Sequence, residues 1–469
     1  MPPADLTPPA EPGRIRAIIF LMGLAQLVIT SDFSIISVVL PTIGRQLGIA
    51  PTLLSWVVSA NAVTFAGFLI VGGRLTDAIG HRRCLWWGLV VFGAGSLLSG
   101  FSLNIWTLIG TRALQGLGAA MISPASFSLI NTFVPEGPPR HRALGLWGTM
   151  QGLSVILGLV LGGALTTTLG WRSVFFLNLP VVGVCLALTA AVLPRMPRGL
   201  AVSGLDDLGG AALITCSTGL LLLGLSMSAA HGLVSAPGGG ALLLALAGFA
   251  AFLAIESRHA SPLVPLDLLR SRALVGGCLA GMGLLGAVGA IFILTSRYLQ
   301  LGLKFSAAMS GVGMVPIALA TIIAGQCAPA AMRRWSLRSI AIAGLLLQIT
   351  GLLLFALMAP AGDYLQSVAP FVFAATFGST FAFMAIMGLA VSEVRADRQG
   401  TASAILFATQ QIGLPLGVAL AMAALAAGEV ARGEFAAIGG GLAVAALLAA
   451  LGLGVVLAMF RPGAAPVPA

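Results

Sequence analysis

The chain has 469 residues and a formal net charge of +10, yet only 8% of its residues are charged and its mean hydropathy is +1.04. Soluble domains carry roughly 25% charged residues, so a soluble enzyme with a single apolar anchor is excluded. The basic residues sit in short breaks between apolar runs rather than in a patch, which argues against nucleic-acid binding. The five cysteines show no CxxC or Cys/His spacing, so neither a disulfide framework nor a structural zinc is expected, and no metal or cofactor is expected either.

Residues 1–16 form a Pro-rich cytoplasmic tail, read as disordered and without the early basic stretch of a cleavable signal. Apolar runs long enough to cross about 30 Å of hydrocarbon then recur at about 17–41, 53–73, 84–103, 106–130, 144–168, 173–194, 208–229, 238–257, 273–298, 307–328, 338–359, 366–391, 400–425 and 436–460. The first contains AQLVITSDFSIISVVLP (25–41), with the carboxylate of Asp32 inside a stretch of otherwise buried-helix composition. Gln26, Thr30, Ser34 and Ser37 make a polar stripe, and helical spacing puts Asp32 on nearly the opposite side. Either this helix is irregular, or Asp32 faces a neighbouring helix while the stripe faces a cavity.

The second run contributes Asn61 and ends in GRLTDAIGHRRCL (73–85). Gly73 and Gly80 permit a tight turn, and Asp77 is placed to pair with Arg82 or Arg83. The fourth run holds Arg112, with Gln115 on its face; a membrane-embedded arginine must meet a partner or water. Asp32 and Arg112 fall at similar depths, about 10–15 Å from the outer ends of their helices. Their lateral distance stays open. The fifth run carries Gln151 and then Gly158, Gly162 and Gly163, at spacings that let membrane helices approach closely. Gln410 lies in the thirteenth. Gln26, Thr30, Ser34, Asn61, Gln115, Gln151 and Gln410 are the candidates for lining a substrate cavity.

Charge distribution sets the topology. With the N-terminus in the cytoplasm, eighteen of the 24 basic residues fall on inside segments and only Arg45, Arg172, Arg297, Lys304 and Arg432 fall outside, Arg112 being the one deep in a span. This asymmetry matches the positive-inside rule. The expected fold is therefore all-α and polytopic, with fourteen transmembrane helices and both termini cytoplasmic. The nearly apolar pair at about 208–257 divides them 6+2+6: a six-helix bundle at 17–200, two linker helices at 201–262, a second bundle at 263–461, and a cytoplasmic tail at 462–469.

The turn at 73–85, LIGTRALQGLGAA at 108–120, GLVLGG at 158–163 followed by WRSVFFLNLP, and SDFSIISVVLP in the first helix resemble, in order and spacing, the major facilitator superfamily, in particular its fourteen-helix drug:proton antiporter branch. LDDLGG (205–210), RYLQLGLKFSAAMSG (297–311) and GTASAILFATQQIGLPLG (400–417) extend the resemblance over essentially the whole chain. It implies the major facilitator fold, a cytoplasmic gate at Gly73, Asp77, Gly80, Arg82 and Arg83, and proton coupling by Asp32 and Arg112. The chain departs from the usual motifs at Ala78, where a basic residue is common, and at Leu159, where proline is usual.

The function so implied is export of amphipathic, often cationic or lipophilic compounds in exchange for protons, by alternating access in a plasma (inner) membrane. The alternative, kept open by the Leu159 departure, is export of a dedicated metabolite or lipid-like molecule without strict proton exchange. No Ser/His/Asp constellation or nucleotide loop is evident, so an enzyme is not expected. The partners are a small-molecule substrate, protons and the bilayer, with no nucleic acid; a monomer is expected.

Overall fold

The structure, a computed structural model, describes residues 12–49, 54, 56–134, 138–193, 208–231, 236–257, 267–394, 399–432 and 434–461. The expected domain boundaries near 200 and 262, residues 1–11 and the tail at 462–469 lie outside these. The long helices of the first half are α1 (Pro12–Leu47), α2 (Trp56–Ile79), α3 (His81–Gly100), α4 (Ile105–Phe133), α5 (Pro138–Thr168) and α6 (Asn178–Val192), the last preceded by the short turn Ser173–Phe176. After them come α7 (Leu208–His231) and α8 (Ala236–Glu256). The second half holds α9 (Arg272–Arg297), α10 (Val315–Met332), α11 (Leu337–Met358), α12 (Ala369–Val391), α13 (Gln399–Arg432) and α14 (Glu434–Met459). Nine helical stretches among the described residues are long and apolar enough to cross a membrane, and three shorter apolar ones (Trp56–Leu69, Leu153–Thr168 and Ala212–Leu225) accompany them.

Several helices outrun the hydropathy that marks them. The first apolar run ends near residue 41, whereas α1 continues to Leu47. Hydropathy reports the hydrocarbon thickness, while the backbone keeps its internal hydrogen bonds beyond it. Breaks come where the chain supplies them. Gly80, at φ 89°, separates α2 from α3 in a conformation that costs a glycine little. The Asn104 side chain accepts from the Thr107 amide at 2.9 Å to open α4, and Ser271, Ser306, Ser336 and Asp363 cap later helix starts in the same way.

Helix pairing repeats between the halves. In the first, α1 packs on α4, α5 and α6, α4 on α2 and α3, and α3 on α6. In the second, α9 packs on α12, α13 and α14, α12 on α10 and α11, and α11 on α14. Glycines make the crossings close, as expected where lipid removes the hydrophobic drive for helix association. A Cβ on Gly118 of α4 would lie 2.5 Å from the Phe92 nitrogen and 2.8 Å from the Gly88 carbonyl, and one on Gly378 of α12 would strike the Gly344 carbonyl and lie 2.7 Å from the Gln348 nitrogen. Gly95 faces the backbone of Thr111 and Gln115 as Gly351 faces that of Phe371 and Ala375.

The halves meet where α5 lies on α10 and α2 on α13, and α7 touches both α2 and α13. The Thr215 hydroxyl, one of the few polar groups of the apolar pair, donates to the Gly67 carbonyl at 2.9 Å and ties α7 to α2. Helix α8 packs on α7 through Gly224, whose Cβ position lies 2.9 Å from Leu242.

A prediction follows from the tightest crossing. A Cβ on Gly417 of α13 would sit on the carbonyl of Gly286 in α9, a backbone group that no rotamer change moves. Gly417→Ala is expected to destabilise the second half by about 1–3 kcal/mol, read as a lowered melting temperature in detergent; Gly454→Ala, at a position with open space, is the control that should leave it unchanged.

Candidate functional site

Asp32 and Arg112 lie together inside the first half. An Arg112 terminal nitrogen (Nη1) donates to Asp32 Oδ2 at 2.5 Å, and both residues are buried, at 0% and 3% exposure. The same nitrogen donates to Gln115 Oε1 at 2.7 Å, and Arg112 Nε donates to the Val57 carbonyl of α2 at 3.1 Å. The other carboxylate oxygen of Asp32, Oδ1, accepts from Gln115 Nε2 at 3.1 Å and from Asn178 Nδ2 at 3.0 Å. Asn178 also donates to Ser96 Oγ at 2.9 Å, and Ser96 donates to the Phe175 carbonyl at 2.9 Å. Groups from α4 and α6 thus bond the carboxylate of α1, and α2 and α3 brace them in turn. A buried ion pair needs such satisfaction, because desolvation otherwise exceeds the Coulomb attraction. One donor is left over: Arg112 Nη2 is buried with no hydrogen-bond partner among the described residues.

Local packing explains the convergence. Gly116 lets α4 press against the Asn61 carbonyl and Thr64 of α2, and Thr64 donates to the Ala113 carbonyl at 2.9 Å. On α5, a Cβ at Gly158 would lie 2.8 Å from the Ser31 carbonyl and 2.8 Å from Ser34 Cβ, and one at Gly162 would lie 3.4 Å from the Ile35 Cα. Those glycines, with buried Gly163 beside them, seat α5 against α1 next to Asp32. Of the two alternatives for Asp32, α1 is a continuous helix and the carboxylate faces α4 and α6. Gln26 and Thr30, which bond each other at 3.1 Å, and Ser34, which donates to the Thr30 carbonyl at 3.1 Å, lie on the other side.

Two cavity candidates are enclosed by helix contacts in this structure. Gln115 is fully buried and spends its amide on Arg112 and Asp32. Gln410 is 1% exposed, packs against Gly281 of α9 and points its Nε2 at Met387 Sδ, 3.7 Å away. Both faces are small-residue seams, so helix contact has closed over them. Asn61 is buried on α2 beside Gly116. Gln151 and Asp77 lie on α5 and α2, and their side chains are outside the described parts of the structure, as is that of Leu159. At the α2–α3 turn, Gly73 sits half-buried on α2 and Arg83 is exposed. Arg82 donates to the Ala190 carbonyl at 3.1 Å and Arg14 to the Val192 carbonyl at 2.9 Å. These guanidinium groups meet the free carbonyls at the α6 C-terminus, where positive charge is favoured.

Asn178 and Ser96 are functional candidates that the sequence reading passed over. Asn178→Leu removes a hydrogen bond to a charged group, worth about 1.5–3 kcal/mol. It is expected to lower the transport rate about tenfold or more, while Asn178→Gln or Asn178→Ser, which keep a donor for the Asp32 carboxylate, retain more of it; uptake into vesicles measures the difference.

The second half shows what the fold alone requires. Matched through the glycine crossings, Asp32, Arg112 and Gln115 correspond to Ala287, Val372 and Ala375, all within one apolar core. The same helix arrangement therefore holds without a charge, which sets the first-half cluster apart as chemistry added to the scaffold.

An all-α chain with two repeated helix bundles and a buried ion pair in one of them has the architecture of a polytopic membrane transporter. Residues 22–418 match the profile of the Major Facilitator Superfamily, and the chain belongs to that family. It is accordingly a transmembrane transporter of the plasma (inner) membrane and not an enzyme. The chain is 36% identical to the cephamycin export protein CmcT of Amycolatopsis lactamdurans over 86% of its own length and 84% of the relative's. It is 32% identical to the puromycin resistance protein pur8 of Streptomyces alboniger, over 87% and 81%. The multidrug efflux pump LfrA of Mycolicibacterium smegmatis is 27% identical over 87% and 80%. Among solved structures, the human organic anion transporter MFSD10 (TETRAN) shares the fold at a TM-score of 0.67, covering 96% of this chain and 100% of that one at 14% identity.

Proposed function

We propose that this protein is a multidrug-type exporter of small lipophilic or amphipathic molecules, driven by proton exchange and belonging to the fourteen-helix branch of its family. The single observation that carries the reading is the buried Asp32–Arg112 pair, braced by Gln115 and Asn178, where the matched second-half positions Ala287, Val372 and Ala375 are apolar. A carboxylate in that setting has two states. Ionised, it holds Arg112; protonated, it releases a guanidinium that already has one unspent donor. The α1, α4 and α6 segments would then shift relative to one another, coupling protonation to the exchange between inward- and outward-facing forms around a site between the halves.

The arrangement proposed is 6+2+6 with both termini cytoplasmic: α1–α6 within 17–200, α7 and α8 within 201–262, and α9–α14 within 263–461. Gln26, Thr30, Ser34, Asn61 and Gln151 remain proposed cavity residues, joined by Gln115 and Gln410 where the seams at Gly95 and Gly281 open during the cycle. The α2–α3 turn is the proposed gate, in which Gly73, Asp77, Gly80 and Arg83 act with Arg82 on the end of α6. Asp77→Asn is expected to cut transport sharply with little change in yield or melting temperature, and Ala78→Arg to be tolerated. Wild-type flux through Asp77→Asn protein would remove the gate assignment.

A second reading, export of one dedicated metabolite, is favoured by the relative named for cephamycin export, which is more similar to this chain than the multidrug pump LfrA. A thermal-shift screen across lipophilic cations, puromycin and cephamycins, followed by flux in liposomes with and without a pH gradient, separates the two. Broad stabilisation supports the multidrug reading; a single responding chemotype supports the dedicated exporter.

A further inference from the structure

Away from the ion pair, a cavity of about 550 Å³ opens between α10, α11 and α12. Its wall is apolar: Phe377 and Phe381 of α12 stack with their centroids 5.6 Å apart, and Leu347 of α11 lies beside them. Leu347 is 38% exposed, and Cys327 and Ala330 of α10 are exposed as well, so the cleft opens sideways at the surface that meets lipid. Its mouth is different. Arg333, Arg334 and Trp335, in the turn joining α10 to α11, line the cavity and are exposed. One turn on, Arg338 donates weakly to the Leu457 carbonyl at 3.4 Å while its buried Nε has no partner. Among the described residues no carboxylate forms an ion pair with any of these three arginines.

In the first half the equivalent helices touch near their ends. There Gly72 brings the α2 backbone against Ala120 of α4, and the Thr76 hydroxyl reaches Cys84 Sγ of α3 at 3.2 Å.

We propose that this cleft binds an anionic phospholipid, one acyl chain lying along Leu347, Phe377 and Phe381 and the phosphodiester held by Arg333 and Arg334. Charge complementarity and depth support that occupant. An unpaired arginine cluster at the end of two membrane helices attracts anionic headgroups, guanidinium groups match phosphate oxygens in geometry, and tryptophan favours the headgroup level. A free phosphate would leave the apolar wall unused, and a neutral lipid would leave the arginines uncompensated. Because α10 also lies on α5, the bound lipid would press on a helix that joins the two halves.

The test uses the full chain in nanodiscs of phosphatidylcholine containing either brominated phosphatidylglycerol or brominated phosphatidylcholine at equal mole fraction. Bromine quenches nearby tryptophan, and the difference between wild-type and Trp335→Phe protein isolates the Trp335 signal. Brominated phosphatidylglycerol is expected to quench Trp335 preferentially, with its apparent affinity falling about fivefold for each arginine removed in Arg333→Gln and Arg333→Gln/Arg334→Gln protein. Equal quenching by the two lipids would overturn the proposal, as would an undiminished preference in the double variant. Relief of quenching by millimolar inorganic phosphate would also overturn it, by making this a simple anion site.

Discussion

Asp32→Leu is expected to destabilise the first half by about 3–5 kcal/mol, and adding Arg112→Met is expected to restore most of that stability without restoring transport. The two partners are not equivalent. With Asp32 gone, Arg112 keeps a charge it cannot shed in a fully buried position, and an unpaired buried charge carries that order of cost. With Arg112 gone, the carboxyl can take up a proton and become neutral. Arg112→Met alone should therefore be milder. The double variant replaces the cluster by hydrocarbon, as the second half already does at Ala287, Val372 and Ala375. Melting curves of the four proteins measure all of this. Additive losses in the double variant would mean that the two residues act separately, contrary to the 2.5 Å pairing.

Asp32→Asn should behave differently from Asp32→Leu: gradient-driven transport falls to background, yet the protein folds. Asparagine copies the size of the protonated carboxyl and keeps an oxygen that can accept from Arg112, which also retains Gln115 and the Val57 carbonyl as acceptors. If protonated Asp32 is a normal station in the cycle, its mimic must be tolerated, with a loss of about 1–2 kcal/mol instead of 3–5. Asp32→Glu, still ionisable but one methylene longer, should keep partial activity. A purely structural carboxylate would show the reverse: Asn destabilising, and transport surviving in whatever protein folds.

Much of this was legible from single residues. Charge sparsity and the recurrence of apolar runs define a polytopic helical chain, because each span must satisfy its backbone internally. Asp32 and Arg112 stand out because intramembrane charge is rare and needs a partner. Their pairing was not legible, since depth along a helix says nothing about lateral neighbours. Asn178 was missed because it sits in NLP just after a short helical turn and resembles a loop residue; Ser96 is one small hydroxyl among several on α3. Gln115 and Gln410 were assigned to a cavity because a polar face on an apolar helix signals either water or another helix, and only the crossing at Gly95 or Gly281 decides which. The apolar counterpart in the second half needed the glycine contacts, since no repeated sequence marks it.

Proton coupling through Asp32 is the central claim, and paired flux assays on Asp32→Asn proteoliposomes test it most directly. One assay imposes a pH gradient with the interior acidic and follows uptake of a fluorescent lipophilic cation. The other loads the interior with unlabelled substrate at equal pH and follows exchange, which requires the conformational change but no net proton movement. The account predicts that Asp32→Asn abolishes the first and preserves the second. Gradient-driven uptake at the wild-type rate, with wild-type dependence on pH, would contradict it.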